Sequence, residues 1–160
     1  MLNHKKTALK GMTLVMDIRK PNESELKEVI LLSPQALFDG TLGEVKPTHE
    51  KTKSLIEPLL KKGSYYLIAT ENEILMGWIL IGAGKDQFTD KVNGFIYELF
   101  VIEEFRGNGV SKKLMKTAFD HLRKDGYAEV RLSAFSGNPA IKLYEKMGFN
   151  IRTVSMSLQL

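Results

Sequence analysis

The sequence contains no cysteine, and this absence excludes several chemistries. A disulfide scaffold, a thiolate zinc site, an iron–sulfur cluster and a cysteine nucleophile all require that residue. The absence also suits a reducing compartment, so we expect a cytoplasmic protein. The three histidines, His4, His49 and His121, are scattered without the spacing of metal ligands, and no metal site is predicted.

Long apolar runs are also missing. The longest one, 74–83, is interrupted by Gly77 and Gly82 and is far too short to cross a bilayer, so no membrane partner is expected. The chain has 160 residues, of which 43% are hydrophobic and 26% are charged. This length and composition are typical of one globular domain.

An excess of positive charge occurs only at the beginning of the chain. The net charge is +4, but residues 1–12 carry three lysines and no acidic residue, so the remainder is nearly neutral. We therefore expect a flexible basic extension over 1–11 and a single domain over 12–160. A nucleic-acid partner is not favoured, because no stripe of basic residues interleaved with aromatic ones is present.

Hydrophobic periodicity predicts a mixed-direction sheet with helices, an α/β (α+β) fold in the order β-α-α-β-β-β-α-β-α-β. Alternating, β-branched segments predict the strands, which span 13–19, 65–70, 74–81, 95–102, 129–134 and 149–158. Apolar residues at helical spacing predict the helices, which span 25–32, 48–62, 110–124 and 139–147. Residues 33–43, with Pro34, predict a loop or broken helix, and 84–92 a solvated loop. Pro58 is expected to kink or split the second helix.

The most informative stretch is 98–111, where a strand leads through a glycine bend into a helix. Gly107 and Gly109 allow positive φ and close approach of a ligand to the backbone. The amides at the start of the helix and the charge of Arg106 would favour a phosphate group. A Walker loop is excluded because Val110 and Ser111 follow Gly109, and the third glycine of a dinucleotide fingerprint is missing. On these residues alone, the bend fits a purely structural turn equally well.

Two motifs resemble those of the GNAT N-acetyltransferase superfamily. The segment 106–111, Arg-Gly-Asn-Gly-Val-Ser, is similar to the acetyl-CoA signature R/Q-x-x-G-x-G/A. The segment 138–149, which begins Asn-Pro-Ala and ends Met-Gly-Phe, resembles the closing motif of the same superfamily, about thirty residues later. The resemblance covers roughly 13–158. One departure is Ser111, which stands where glycine or alanine is usual.

The resemblance implies a coenzyme A site, with acetyl-CoA as cosubstrate. The strand over 95–102 would separate from its neighbour and pair with the pantetheine arm, and the amide of Leu99 would face the thioester carbonyl. The backbone of 106–112 would surround the pyrophosphate. The cofactor-binding residues implied in this way are Leu99, Phe100, Val101, Arg106, Gly107, Asn108, Gly109, Val110, Ser111, Lys112, Asn138 and Tyr144.

Two residues are candidates for moving protons. An alkyl amine has a pKa of roughly 10 and must lose a proton before it attacks a thioester. Glu98 lies in an otherwise apolar run, where a charge is costly unless it is paired or faces a cleft, and we predict that it is the general base. The alternative for Glu98 is an exposed residue on a solvent-facing strand. Tyr144 matches the acid of the family, which protonates the thiolate, and its alternative is a structural helix tyrosine.

We therefore expect an N-acetyltransferase that acts on a primary amine of a small molecule or a protein N-terminus by direct attack in a ternary complex. The alternative is a non-catalytic coenzyme A-binding module with a regulatory role. The acceptor is not readable, although four acidic residues are candidates for attracting a cationic amine: Asp39, Glu44, Asp86 and Asp90. A homodimer stays open, because exposed terminal strands pair in such folds.

Overall fold

A computed structural model describes residues 15–160, in which five strands and four α-helices follow one another along the chain. The strands are β1 Asp17–Arg19, β2 Tyr65–Glu71, β3 Ile74–Lys85, β4 Val92–Val101 and β5 Val130–Leu132. The helices are α1 Glu23–Gly40, α2 His49–Lys61, α3 Val110–Lys124 and α4 Ala140–Lys146. The predicted extension over 1–11 and the first two residues of the strand predicted over 13–19 lie outside the described residues.

The five strands form one mixed sheet in the order β1-β2-β3-β4-β5. The first four pair antiparallel with their neighbours, and β5 pairs parallel with β4. Helices cover both faces, with α1 and α2 packed over one apolar cluster and α3 over the other. The predicted mixed α/β sheet is therefore confirmed.

Helix α3 occupies the predicted residues without any shift. Val110, Leu114, Ala118 and Leu122, at intervals of four, are each 2% exposed or less and lie against the sheet. Their spacing places them on one side of the helix, and the lysines fall on the other side. Gly109, with φ of 76°, forms the N-cap.

Helix α1 is longer than the sequence indicates. It begins after Asn22, whose side chain caps the amide of Glu25, and it continues through Pro34 to Gly40. The prediction of a loop or broken helix over 33–43 is therefore wrong up to Gly40. A proline removes one helical hydrogen bond, and the packing of Val29, Ser33 and Ala36 against the sheet outweighs that loss. Helix α2 is likewise not split at Pro58.

The strand predicted over 149–158 is absent from the structure. Residues 149–160 have no regular secondary structure, and Ile151, Val154, Met156 and Leu158 are all at least 75% exposed. Alternating residues form a strand only when a neighbouring strand accepts their hydrogen bonds, and no strand of the described residues pairs with this segment. Strand β3 also runs to Lys85, so its last two residues lie in the segment predicted as a loop over 84–92. Among residues 15–160, no helix has the length and apolar character needed to span a membrane.

Candidate active site

A β-bulge in β4 determines which face of the sheet each of its side chains reaches. Leu80 on β3 lies opposite Glu98, and the next residue, Ile81, lies opposite Ile96, so Tyr97 is the extra residue. Because a bulge reverses the alternation of side chains, Ile96 packs on the α3 side and Glu98 lies on the α1 side.

Beyond this bulge, β4 separates from β5. Only Gly94, Phe95 and Ile96 pair with β5. The following residues, up to Val101, have no strand beside them on that edge within the described part of the chain. The sheet is therefore closed at the beginning of β4 and open along 97–101, where Leu99 lies.

The glycine bend after β4 presents unpaired amides. Gly107 and Gly109 have φ of 79° and 76°, the left-handed region that glycine adopts without a steric penalty. The amides of 107–112 have no hydrogen-bond partner among residues 15–160. A Cβ built on either glycine would meet no atom within 4 Å, so the space in front of the bend is open. Such amides at a helix start favour an anion.

Arg106, at the entrance to the bend, is held by other protein groups. Its amide donates to the carbonyl of Glu103, which leaves the amides that begin at Gly107 as the available ones. Its guanidinium donates to the Val101 carbonyl over 2.9 Å and to the Asp39 carboxylate over 2.8 Å.

Glu98 is partly buried beneath α1. The indole Nε1 of Trp78 and the hydroxyl of Ser33 both donate to its Oε1, the hydroxyl over 3.3 Å. Burial raises the pKa of Glu98 to about 7, and these two hydrogen bonds oppose that rise. A carboxyl with this pKa exchanges its proton near neutral pH, as a general base must.

Tyr144 lies on the α3 side of the sheet. Its ring packs edge-on against Phe149, with ring centroids 6.0 Å apart, and joins the cluster that includes Leu99. Burial raises the pKa of its phenol, which therefore stays protonated at neutral pH. Glu98 and Tyr144 thus lie on opposite faces of the sheet, and the open edge of β4 separates them.

Asn138 links the start of α4 to the end of α1. Its Oδ1 accepts from the amide of Ala140 over 2.9 Å, and its Nδ2 donates to the carbonyl of Gly40 over 3.5 Å. The side chain thus holds the turn before α4 against the end of α1.

Three of the four acidic residues considered as attractants for a cationic amine already hold cations. Asp39 pairs with Arg106, Asp90 with Lys85 over 2.7 Å, and Asp86 with Arg131. Asp86 also accepts from the amides of Phe88 and Thr89. The Arg131 guanidinium, together with these two amides, holds the pKa of Asp86 well below its usual range. Glu44 has no salt bridge to the described residues.

Sequence reasoning missed Ser33 and the hydrogen bond of Trp78. Trp78 is fully buried in an apolar strand, where core packing alone would account for it, and its indole also donates to Glu98. A signal existed for Ser33: it interrupts an apolar helical stripe between Val29 and Ala36. A buried hydroxyl needs a partner, and Ser33 has two in reach: the Val29 carbonyl on its own helix and Glu98, which lies 65 residues away. Among residues 15–160, no group of His, Asp and Glu is arranged to hold a metal ion.

Comparison with known proteins identifies the family. The model of the acetyltransferase (GNAT) family matches residues 32–149. The N-acetyltransferase YdgE of Bacillus subtilis is 29% identical over 133 residues, which are 79% of this chain and 83% of YdgE. Mycothiol acetyltransferase of Brachybacterium faecium is 33% identical over 86 residues, 53% of this chain and 26% of that protein. The chain belongs to the GNAT acetyltransferase family and is an acyltransferase.

Solved structures share the fold. The aminoglycoside N-acetyltransferase AAC(6')-Iy, in complex with CoA, superposes with a TM-score of 0.73 and 19% identity, covering 94% of this chain and 97% of that one. Glucosamine-6-phosphate N-acetyltransferase from Arabidopsis thaliana gives a TM-score of 0.62 and 22% identity, covering 91% and 98%. At this identity the likeness concerns the fold alone.

Proposed function

We propose that this enzyme transfers the acetyl group of acetyl-CoA to a primary amine, by direct attack in a ternary complex. The observation that carries the proposal is the row of unpaired amides over 107–112, which lies next to the open edge of β4. When bound, acetyl-CoA supplies an acyl group activated as a thioester. The absence of cysteine suits the cytoplasm, where we place the enzyme.

The binding residues fit coenzyme A in two places. The amides of 107–112 offer directed donors and the positive end of the α3 dipole to a diphosphate. On the β5 side, no strand among residues 15–160 pairs with the backbone of Leu99, Phe100 and Val101, which is therefore available to pair with an extended amide-bearing chain such as pantetheine. Ser111 and Lys112, in the first turn of α3, contribute amides in this proposal, and Asn138 lies beside the arm.

The protons are handled by two side chains in this proposal. Glu98, with a pKa of about 7, accepts the proton of the amine. Tyr144, whose pKa is raised by burial, keeps its proton at neutral pH and donates it to the departing thiolate. Their placement on opposite faces of the sheet suits two roles on opposite sides of a thioester.

The acceptor is a small-molecule amine or a protein N-terminus. The relatives point to both: mycothiol acetyltransferase is named for a small molecule, and N-alpha-acetyltransferase 30 of Schizosaccharomyces pombe, 27% identical over 53% of this chain, for an α-amine. Because Asp39, Asp86 and Asp90 already hold cations, recognition of a cationic amine by these acids is not part of the proposal.

The test combines calorimetry with turnover. We expect coenzyme A to bind the purified protein and thiol to be released from acetyl-CoA with at least one member of a panel of small amines and peptides. Glu98→Gln should bind coenzyme A normally and lose turnover at neutral pH. If coenzyme A binds but no amine of the panel causes thiol release, the non-catalytic module is supported instead. Absence of coenzyme A binding would contradict the proposal.

We also propose that a second copy of this chain pairs with the exposed tail over 153–160. Val154, Met156 and Leu158 alternate along the tail as in a strand, and 153–160 contains no charged residue to prevent pairing. Arg152 lies 3.8 Å from Asp86, which itself binds Arg131 on β5, so the tail leaves the fold beside an edge strand. If each of two copies pairs its tail with the other copy, both tails are buried.

Light scattering over a range of concentrations tests this pairing. We expect a dimer that becomes a monomer in Met156→Lys, whereas Leu31→Lys, which changes an exposed leucine on α1, leaves the dimer intact. A wild-type monomer at every concentration would contradict the pairing.

A further inference from the structure

Two donors from different elements converge on one oxygen of Glu98. Trp78 on β3 and Ser33 on α1 both donate to Oε1. Within residues 15–160, no hydrogen bond involves Oε2. The two oxygens of this carboxylate are therefore not equivalent, and Oε2 is the one that is available to a proton.

The two donors differ in what they can do when Glu98 changes charge. An indole N–H donates only, and Trp78 is fully buried, so this contact is fixed. The Ser33 hydroxyl has one hydrogen and two acceptors in reach, Oε1 at 3.3 Å and the carbonyl of Val29 at 2.9 Å. It can therefore turn to Val29 without leaving a buried hydroxyl unpaired.

Few other groups around Glu98 can titrate. Strand β2 contributes the phenol of Tyr66, which is 2% exposed, and β4 contributes Tyr97. The residues that α2 contributes to the apolar cluster on this face of the sheet are Ile56, Leu59 and Leu60, none of which can titrate. No charged side chain is among the causes of the raised pKa of Glu98. Its protonation is thus controlled by desolvation and by the two donors.

We propose that Trp78 and Ser33 are positioning residues for Glu98, which hold Oε1 so that Oε2 receives the proton of the attacking amine. The inference rests on the proposed role of Glu98 as proton acceptor. In this step an N–H bond of the ammonium breaks, its electron pair stays on nitrogen, and the proton forms an O–H bond with Oε2, directly or across one water. As the carboxyl becomes neutral, the Ser33 hydroxyl turns from Oε1 to Val29.

The pH dependence of kcat/KM tests the proposal. A donor stabilises the ionised carboxylate, so its removal makes Glu98 lose its proton only at higher pH. In Trp78→Phe we expect the acid limb to move up by about one pH unit, so that kcat/KM falls about tenfold at pH 6 and stays within about twofold of wild type at pH 9. In Ser33→Ala we expect a move of about half a pH unit.

Matched variants separate positioning from packing. Thr52 on α2 is 1% exposed, and its hydroxyl donates to the Thr48 carbonyl over 2.9 Å, as Ser33 does to Val29. Thr52→Val should leave the acid limb in place, and Ser33→Thr, which keeps the hydroxyl, should restore it. A merely structural role would lower kcat at every pH without moving the limb. Ser33→Ala keeps the test valid if Trp78→Phe does not fold.

Carbon-13 NMR of labelled glutamate reads the titration of Glu98 without turnover, with Glu98→Gln to assign the signal. We expect the titration and the acid limb to move up together in Trp78→Phe and Ser33→Ala. A titration that stays at the wild-type pH in both variants overturns the positioning role alone. A titration that moves while the acid limb does not overturns Glu98 as the proton acceptor, and this proposal with it.

Discussion

Arg106 and Asp39 join the glycine bend to the end of α1 through a hydrogen bond of 2.8 Å between Nη2 and Oδ2. The same guanidinium holds the carbonyl of Val101, at the end of β4, and lies 5.5 Å from the ring centroid of Phe100. One side chain thus fixes the position of the bend relative to both the open strand edge and the helix that covers Glu98.

Arg106→Ala should weaken coenzyme A binding by about tenfold, because it removes a positive charge and the contacts that hold the bend. Calorimetry at low and high salt measures the effect, which should shrink as salt screens the lost charge. Lys53→Ala removes an exposed cation that pairs with Glu57 on α2, and it should leave binding unchanged. Equal affinity of Arg106→Ala and wild type would contradict the role of this arginine.

Gly109→Ala should reduce coenzyme A affinity by at least tenfold. The residue has φ of 76°, where a side chain costs about 1–2 kcal/mol, and its Cβ would enter the open space before the amides. Gly126→Ala is a matched control, since it has φ of 92° and equally open surroundings at the other end of α3. If both variants lost the same stability and neither lost affinity, the bend would not be the binding site.

Tyr144→Phe should lower kcat by about 100-fold, within the range of general acid catalysis, with little change in the dissociation constant for coenzyme A. Removal of the hydroxyl leaves the ring packed against Phe149, so the fold should be retained. Steady-state thiol release and calorimetry measure the two effects. Tyr65→Phe, which loses a hydrogen bond to Asp125 at the end of α3, is the control for a phenol outside the site. Full turnover in Tyr144→Phe would remove it as the acid.

Acid should destabilise the start of α1. The Arg19 guanidinium and the Asn22 amide lower the pKa of Glu25 to about 2 from its ordinary value of 4.5. A lowered folded-state pKa contributes stability above pH 4.5 and loses it as pH falls toward 2. Glu25→Gln should therefore cost about 1 kcal/mol near pH 7 and much less near pH 2.

Urea unfolding from pH 2 to pH 7 measures this difference. Glu28→Gln changes an exposed acid on the same helix and is the control. Its effect on the free energy of unfolding should be the same at pH 7 and at pH 2. A constant cost of Glu25→Gln at every pH would contradict the assignment.

Local pattern predicted those parts of the fold whose packing is local. Helix α3 has its apolar stripe, its starting glycine and its bounds in one continuous segment, and the structure confirms the predicted bounds. The sequence predicts an end of helix α1 at Leu32, because it shows Pro34 but not the sheet surface that holds the helix together across this proline. The tail over 149–158 has strand alternation, but the availability of a neighbouring edge is a property of the assembled sheet.

The candidate site also has parts that local sequence pattern predicts and parts that it does not. The glycine bend and Tyr144 lie in contiguous motifs, and Glu98 was found as a lone acid among apolar residues. The hydrogen bonds to Glu98 come from residues 20 and 65 positions away. Contacts at such separations depend on strand register and on a bulge, and a single sequence does not encode them visibly.

The pairing of Asp39, Asp86 and Asp90 with cations of the protein has a kinetic consequence. At these positions an approaching cationic amine meets no unopposed negative field. Diffusional encounter with the acceptor should thus gain little from electrostatic steering, and kcat/KM for the amine should change little with ionic strength. Coenzyme A, a polyanion that approaches the row of unpaired amides, should show the opposite behaviour.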